Sequence, residues 1–179
     1  MVHPPANLYP AGQTDRGAML LPAPGRQLVK RVMTFLIRRG EGPSFLYAGQ
    51  PVHILAGHDG QPAGFAAMEI TVPAHFAGPI PHVHEGFDEA IYVLDGQLRV
   101  VGDQEWEAGP GSMFTAPRGQ RHGFSNPYDT SALVLGLWAP AAPALAFMRD
   151  IGAALVPGVP PDPAQMRELY VRHASRILP

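Results

Sequence analysis

Two histidines, His82 and His84, stand two residues apart in the short sequence HVH. On a strand, residues i and i+2 point to the same face, so both imidazoles can reach one point. Glu89 follows after a bend-prone interval that lets its carboxylate return to that point. A fourth candidate, His122, follows the turn sequence Pro117-Arg-Gly119. Imidazole and carboxylate suit divalent transition metals, so these residues indicate a metal site.

The overall composition excludes several other kinds of site. The chain has no cysteine, which rules out a thiolate-ligated metal, a thiol nucleophile and a CxxC redox motif. Its 13 basic and 15 acidic residues give a net charge of -2, so there is no electrostatic footprint for nucleic acid. No targeting or membrane-spanning segment is recognised, so we expect no membrane partner and a cytoplasmic protein by default.

The elements that must position these residues are mostly strands. The chain has 179 residues, 46% of them hydrophobic, with 20 glycines and 21 prolines, which is typical of one turn-rich β domain. Short strands at this spacing favour a sandwich or barrel. Eight β-prone runs are predicted: Val52–Leu55, Phe65–Val72, Ala90–Leu94, Gln97–Val101, Glu105–Glu107, Met113–Ala116, His122–Asn126 and Ala132–Trp138.

One local signal is sharper than the others. Asp95-Gly96 separates two β-prone runs, and this dipeptide is typical of a type I′ turn, which needs positive φ at both central residues. The sequence therefore predicts a hairpin between Ile91–Leu94 and Gln97–Val101.

The two ends of the chain differ from the middle. Residues 1–27 are rich in proline and predict an irregular arm, followed by a β barrel over residues 28–140 that can open with an edge strand at Val32–Arg38. Residues 141–179 predict helices that pack on the barrel. The first spans Ala141 to Leu155, and Asp162-Pro163 opens the second. A helical stripe on the second comprises Met166, Leu169, Tyr170, His173 and Ile177.

The histidine motifs resemble those of the cupins. His82-Val-His84-x4-Glu89-x6-Gly96 is similar to the first cupin motif, although Gly78 lies closer to the histidines than the usual glycine. Gly111-x5-Pro117-x-Gly119-x2-His122-x3-Asn126 resembles the second motif at every specified position. The motifs cover residues 78–126, and neighbouring strands extend the resemblance to about 51–140.

The resemblance implies an all-β, double-stranded β-helix (a jelly-roll barrel), here with a C-terminal helical appendage. It also implies that His82, His84, Glu89 and His122 bind one divalent transition metal ion. The donor set suits Fe, Mn, Ni, Co, Cu or Zn and leaves the metal undetermined. We expect surface, packing or hydrogen-bonding roles for the remaining histidines: His3, His53, His58, His75 and His173.

The alternation along the strands predicts an apolar pocket for a small-molecule substrate. Our first hypothesis is a dioxygenase similar to quercetin 2,3-dioxygenase, which uses O2 on an enolisable aromatic substrate and has Glu89 as the catalytic proton acceptor. Two alternatives are a redox-neutral cyclase or isomerase and a non-catalytic ligand-binding protein. Many cupins pair through sheet edges, so we also expect a homodimer. The predicted pocket residues are Met68, Ile91, Phe114, Phe124 and Trp138.

Overall fold

The fold consists of eleven strands and two helices in a computed structural model that describes residues 34–61 and 63–178. The predicted arm at residues 1–27 lies outside the described residues, and residues 34–38 have no regular secondary structure. The elements are β1 Ser44–Tyr47, β2 Gln50–Ala56, β3 Ala66–Val72, β4 His82–His84, β5 Asp88–Asp95, β6 Leu98–Val101, β7 Glu105–Ala108, β8 Met113–Ala116, β9 Gly123–Ser125, β10 Ala132–Ala139, α1 Ala141–Ala154, α2 Pro163–Arg172 and β11 Ser175–Ile177.

The strands form two antiparallel layers. One layer is a six-stranded sheet in the order β1-β2-β3-β10-β5-β8. The other comprises β7-β6-β9 and the pair β11-β4. An isolated bridge joins these two parts, because the backbones of His82 and His122 exchange two hydrogen bonds of 2.9 Å. The predicted all-β jelly roll with C-terminal helices is therefore confirmed.

The core lies between the layers and follows the period-two pattern of the strands. Buried and partly buried residues alternate along the whole of β10. Its neighbour β5 does the same from Asp88 to Val93, which places Ile91 and Val93 in the core. Residues from the second layer, such as Leu98 and Val100, complete the same hydrophobic cluster. Burial of each such side chain stabilises the fold by roughly 1.5–3 kcal/mol.

The predicted Asp95-Gly96 hairpin is wrong. Strand β5 pairs with β10 and β8, whereas β6 pairs with β7 and β9, so the chain crosses from one layer to the other at this turn. Gly96 has φ +75°, and a Cβ there would lie 2.7 Å from the Cα of Ala132. The dipeptide thus marks the end of β5 and a bend at Gly96, but a local signal does not determine which strand becomes the partner.

The C-terminal segment is helical at first and then returns to the barrel. Helix α1 covers all but the last residue of the prediction, and α2 begins where predicted, with Asp162 accepting hydrogen bonds from the amides of Ala164 and Gln165. The predicted stripe fails in its last turn because α2 ends at Arg172. The chain then forms β11, which pairs antiparallel with β4. No helix in the described part of the chain is long and apolar enough to cross a membrane.

Candidate metal centre

Three histidines converge in the barrel interior. His82 and His84 lie on β4, and the backbone bridge to His82 brings His122 beside them. One ring nitrogen of each lies within 4.8 Å of the others, and all three side chains are at most 3% exposed. The structure therefore brings together residues separated by up to forty positions in the sequence.

The outer nitrogens of two of these histidines are held by backbone carbonyls. His82 Nδ1 lies 2.9 Å from the carbonyl oxygen of Ile80, and His122 Nδ1 lies 2.9 Å from that of Gln120. A carbonyl can only accept a hydrogen bond, so each Nδ1 carries the proton and donates it. In the neutral ring this leaves a lone pair on Nε2.

The third histidine is held by a side chain from β11. His84 Nδ1 lies 2.8 Å from Ser175 Oγ, and Ser175 Oγ lies 3.1 Å from the carbonyl oxygen of His173. The serine hydroxyl donates to that carbonyl and therefore accepts the Nδ1 proton of His84. The lone pair of His84 is likewise on Nε2. Such hydrogen bonds to the far side of a ligand ring orient it and make it more basic.

The three lone pairs face one another without protons between them. His82 Nε2 and His84 Nε2 are 3.0 Å apart, and His122 Nε2 is buried with no hydrogen-bond partner among the described residues. Burial, followed by neighbouring histidine charge, lowers the pKa of His82 to about 3 and that of His84 to about 2. A buried lone pair without a partner is costly. The residues present therefore fit a divalent transition metal ion, which neutral imidazoles bind.

Glu89 stands beside this cluster. Its Oε2 lies 3.7 Å from His84 Nε2 and its Oε1 lies 3.8 Å from His122 Nε2. Trp138, opposite Glu89 in the β10–β5 register, donates its indole N–H to Oε2 at 2.7 Å. A Cβ at Gly136 would overlap the indole ring, so this glycine leaves the space that the ring occupies. The indole thus fixes one carboxylate oxygen, while the other lies nearer His122.

A small cavity adjoins His82, His84 and Glu89. Its volume is about 30 Å3, room for one or two water molecules. Among the predicted pocket residues, Ile91, Phe124 and Trp138 line this cavity. Phe114 lines a different opening, and Met68 is fully buried in the core and lines neither. Strand alternation predicts which face a residue occupies, but it does not predict how deep in the barrel it lies.

The C-terminal helices cover this cavity. The sequence predicted that these helices pack on the barrel, but not which of their residues line the cavity. Phe147, Met148 and Ile151 of α1 lie along it, together with Tyr170 of α2. Burial raises the pKa of Tyr170 well above its usual range, and the charge of Glu89 adds to this effect, so the hydroxyl stays protonated. The helical stripe indicated that Tyr170 is buried.

The other described histidines do not join the cluster. His53 lies on β2, and the ring of His58 accepts a hydrogen bond from the amide of Gly60. His75 is exposed beside Asp129, at 3.3 Å. His173 pairs with Asp150 at 2.8 Å, as expected for a hydrogen-bonding role. His3 lies outside the described residues.

Comparison with known proteins identifies the class of fold. Residues 68–139 match the cupin domain family. KdgF from Halomonas sp. is 25% identical, with a TM-score of 0.50 over 60% of this chain and 94% of that chain. The polyketide cyclase RemF from Streptomyces resistomycificus is also 25% identical, with a TM-score of 0.50 over 60% of this chain and 80% of that one.

A third structure supports the fold alone. An RmlC-like cupin from Shewanella frigidimarina is 18% identical, with a TM-score of 0.52 over 63% of this chain and 96% of that chain. No curated protein matches this chain. The domain match and the two structures at 25% identity support the cupin superfamily, and the fold is a cupin barrel with a C-terminal helical segment.

Proposed function

We propose that this chain is a metal-dependent cupin enzyme that acts on an enolisable small molecule, with one divalent transition metal ion held by His82, His84, Glu89 and His122. The observation that carries the proposal is the set of three buried Nε2 lone pairs beside a buried carboxylate. When bound, such an ion supplies Lewis acidity and, if it is redox-active, reactivity towards O2.

The chain's own residues have separate roles in this proposal. The acceptors at Ile80, Gln120 and Ser175 hold the imidazoles in one tautomer. Trp138 holds Glu89 Oε2, and this leaves Oε1 to accept the proton of a substrate enol or phenol. The apolar lining of the cavity excludes bulk water, which strengthens the electrostatic interactions around the carboxylate.

As the specific reaction we propose dioxygenation, in which both atoms of O2 enter the organic substrate. The cavity of about 30 Å3 beside the histidines supports this, since it has room for a molecule the size of O2. The buried carboxylate also supports it, because an enolate is more electron-rich than the corresponding enol and reacts more readily with an oxidant. The substrate class would be enolisable aromatic compounds such as flavonols.

A redox-neutral cyclisation or isomerisation is the second candidate. The likeness to the polyketide cyclase RemF favours it. The same proton acceptor would serve both reactions, because ring closure of a polyketide also begins with removal of a proton next to a carbonyl. The two candidates differ in whether O2 is consumed.

The test is turnover of flavonols and β-diketones by protein loaded separately with Fe, Mn, Ni, Co, Cu or Zn. We expect metal-dependent O2 uptake in the wild type, and loss of both bound metal and uptake in His84→Ala. His75→Ala, which changes an exposed histidine, is the matched control. No O2 uptake with any combination overturns the dioxygenase, and anaerobic turnover supports the cyclase. Equal metal content in wild type and His84→Ala overturns the metal site itself.

We also propose a homodimer formed through a sheet edge. Among the described strands, β1 is one edge of the six-stranded sheet, and it carries Leu46, which is 60% exposed. The carbonyl oxygen of Leu46 lies against Gly152 of α1, so a second copy would pair with the edge groups that this helix leaves open. Sedimentation of the wild type and of Leu46→Pro tests this, because proline removes a backbone donor from the edge; a monomeric wild type would contradict it.

A further inference from the structure

The cavity beside His82, His84 and Glu89 is too small for the organic substrate of the proposed function. Its volume of about 30 Å3 compares with roughly 300–1,000 Å3 for sites that hold small organic molecules. Helices α1 and α2 cover it with Phe147, Met148, Ile151 and Tyr170. A ring system therefore needs another space beside the metal centre.

Such a space lies where the two layers part, between β6 and β7 of one layer and β8 at the edge of the other. The described residues enclose a groove of about 560 Å3 there, within the range of small-molecule sites. We call it the β7–β8 groove. Its lining includes Val100, Trp106, Phe114, Ala116 and His122.

Two aromatic side chains enter this groove from opposite layers. In the strand register, Trp106 lies opposite Val100, and Val100 lies opposite Phe124. Residues directly opposite each other point to the same face of a sheet, so these three side chains share one face. Phe114 is registered opposite Ile91. Because Phe124 and Ile91 both line the small cavity between the layers, Trp106 and Phe114 also face this space. Trp106 is 44% exposed, so its ring is available to a ligand.

The inner end of the β7–β8 groove lies at the candidate metal centre. His122 is part of the groove lining, and Ala116, also in the lining, is registered opposite Glu89. A ligand in the groove would thus have one end beside the histidine cluster and the other at the outer edge of the barrel.

The charges along the groove favour an uncharged ligand. Asp103 supplies one carboxylate, and Arg121 supplies one guanidinium, which donates to the carbonyl of Gly102 at 3.0 Å. Glu107 is next to Trp106 and registered opposite Arg99, so its side chain points to the other face of the sheet. The two charges in the groove balance, so no net charge attracts a phosphorylated or carboxylated molecule. The remaining wall is mostly aliphatic and aromatic.

We propose that the β7–β8 groove binds a flat, uncharged aromatic molecule, with a ring against Trp106 and an oxygen-bearing end towards His122. Trp106 and Phe114 are then the residues that determine which ring systems are accepted. As a statement about the substrate this rests on the proposed function, but the binding itself does not require turnover.

The test is calorimetric titration of metal-free, full-length protein with 2-naphthol and with quercetin. We expect saturable binding, weakened about tenfold in Trp106→Ala and restored by Trp106→Phe. Phe35→Ala is the control, because Phe35 is 45% exposed, like Trp106, but does not line the groove. Wild-type affinity in Trp106→Ala, or no saturable binding to the wild type, overturns the proposal.

A second measurement tests the direction in which the ligand lies. With Mn(II)-loaded protein, we expect the protons of the hydroxyl-bearing ring of 2-naphthol to relax faster than those of the other ring. Equal relaxation of both rings contradicts the orientation.

The two proposals can fail separately. If Trp106→Ala loses binding but no metal supports turnover, the proposed function is wrong and the binding site in the β7–β8 groove still stands. If the wild type binds metal and turns over substrate while Trp106→Ala binds the aromatic ligand normally, only the proposed binding site in the groove is wrong.

Discussion

Ser175 and His84 are 91 residues apart in sequence, yet Ser175 Oγ accepts the Nδ1 proton of His84 at 2.8 Å. The bond exists because β11 pairs with β4 and places Ser175 directly opposite His84. The last strand of the chain therefore orients a ligand of the candidate metal centre. The C-terminal segment therefore both lines the cavity and holds one histidine of the candidate metal centre.

Replacing this serine should weaken metal binding. In Ser175→Ala the Nδ1 proton of His84 loses its acceptor in a buried place, and the ring is no longer fixed. We expect affinity for Zn to fall by about 10- to 100-fold, the usual effect of losing a partner of a ligand. Chelator competition measures it. Ser175→Thr keeps the hydroxyl and should retain most of the affinity, while Ser131→Ala at an exposed serine is the control. An unchanged affinity in Ser175→Ala would contradict this role.

The Trp138–Glu89 hydrogen bond gives a second prediction. Trp138→Phe keeps most of the ring but removes the N–H that Glu89 Oε2 accepts. We expect a loss of about 1–3 kcal/mol in the free energy of unfolding, because a buried acceptor is left without its donor. Urea titration measures it. Trp106→Phe is the control, since its exposed indole is not hydrogen-bonded to Glu89.

The same bond can be observed directly by NMR. The chain has two tryptophans, so 15N labelling gives two indole signals. We expect Glu89→Gln to shift the Trp138 signal and leave that of Trp106 in place. Gly136→Ala should shift the same signal, since its methyl group would overlap the indole ring. An unmoved Trp138 signal in both variants would show that the indole does not hold the carboxylate.

The sequence predicts the strands well because their signals are local. Strand β8 lies exactly where the alternation and turn residues place it, at Met113–Ala116, and β10 differs from its prediction by one residue. The partner of β5 could not be predicted in this way. Pairing depends on the layer to which the chain crosses after Gly96, and that is settled by contacts with distant strands.

The residues of the histidine cluster could be predicted from the sequence, but the groups that hold their rings could not. Spacing alone indicates that His82 and His84 share a face, and the bridge from His82 to His122 completes the set. Strand β11 has only three residues and no periodicity of its own, so its pairing with β4 is visible only in the structure. Trp138 was predicted as part of an apolar pocket, whereas its indole donates a hydrogen bond to Glu89.

The buried histidines predict how stability depends on pH in the metal-free protein. Their pKa values in the fold, about 3 for His82 and about 2 for His84, lie below the value of 6.5 expected on unfolding. Between these limits the unfolded chain binds protons that the folded chain does not. The free energy of unfolding should therefore fall on acidification from about pH 6.5, by about 1.4 kcal/mol per pH unit for each histidine concerned.

Urea titrations at several pH values between 7 and about 4 test this. His84→Gln should show a smaller dependence on pH, since one of the two groups is gone. His75→Ala should match the wild type, because His75 is exposed and lies outside the buried cluster. A wild-type dependence in His84→Gln would mean that other groups cause the effect.

Adding metal should stabilise the fold through His122. Its Nε2 is buried without a hydrogen-bond partner among the described residues, so a bound ion satisfies an atom that is otherwise costly. Zn at a hundred times its dissociation constant should raise the free energy of unfolding by about 2.7 kcal/mol, because the ion binds the folded chain and not the unfolded one. His122→Ala should lose this increment, whereas His58→Ala, at a histidine outside the cluster, should keep it. Equal stabilisation of wild type and His122→Ala would place the ion elsewhere, because a ligand that contributes to binding cannot be removed without reducing the stabilisation that binding produces.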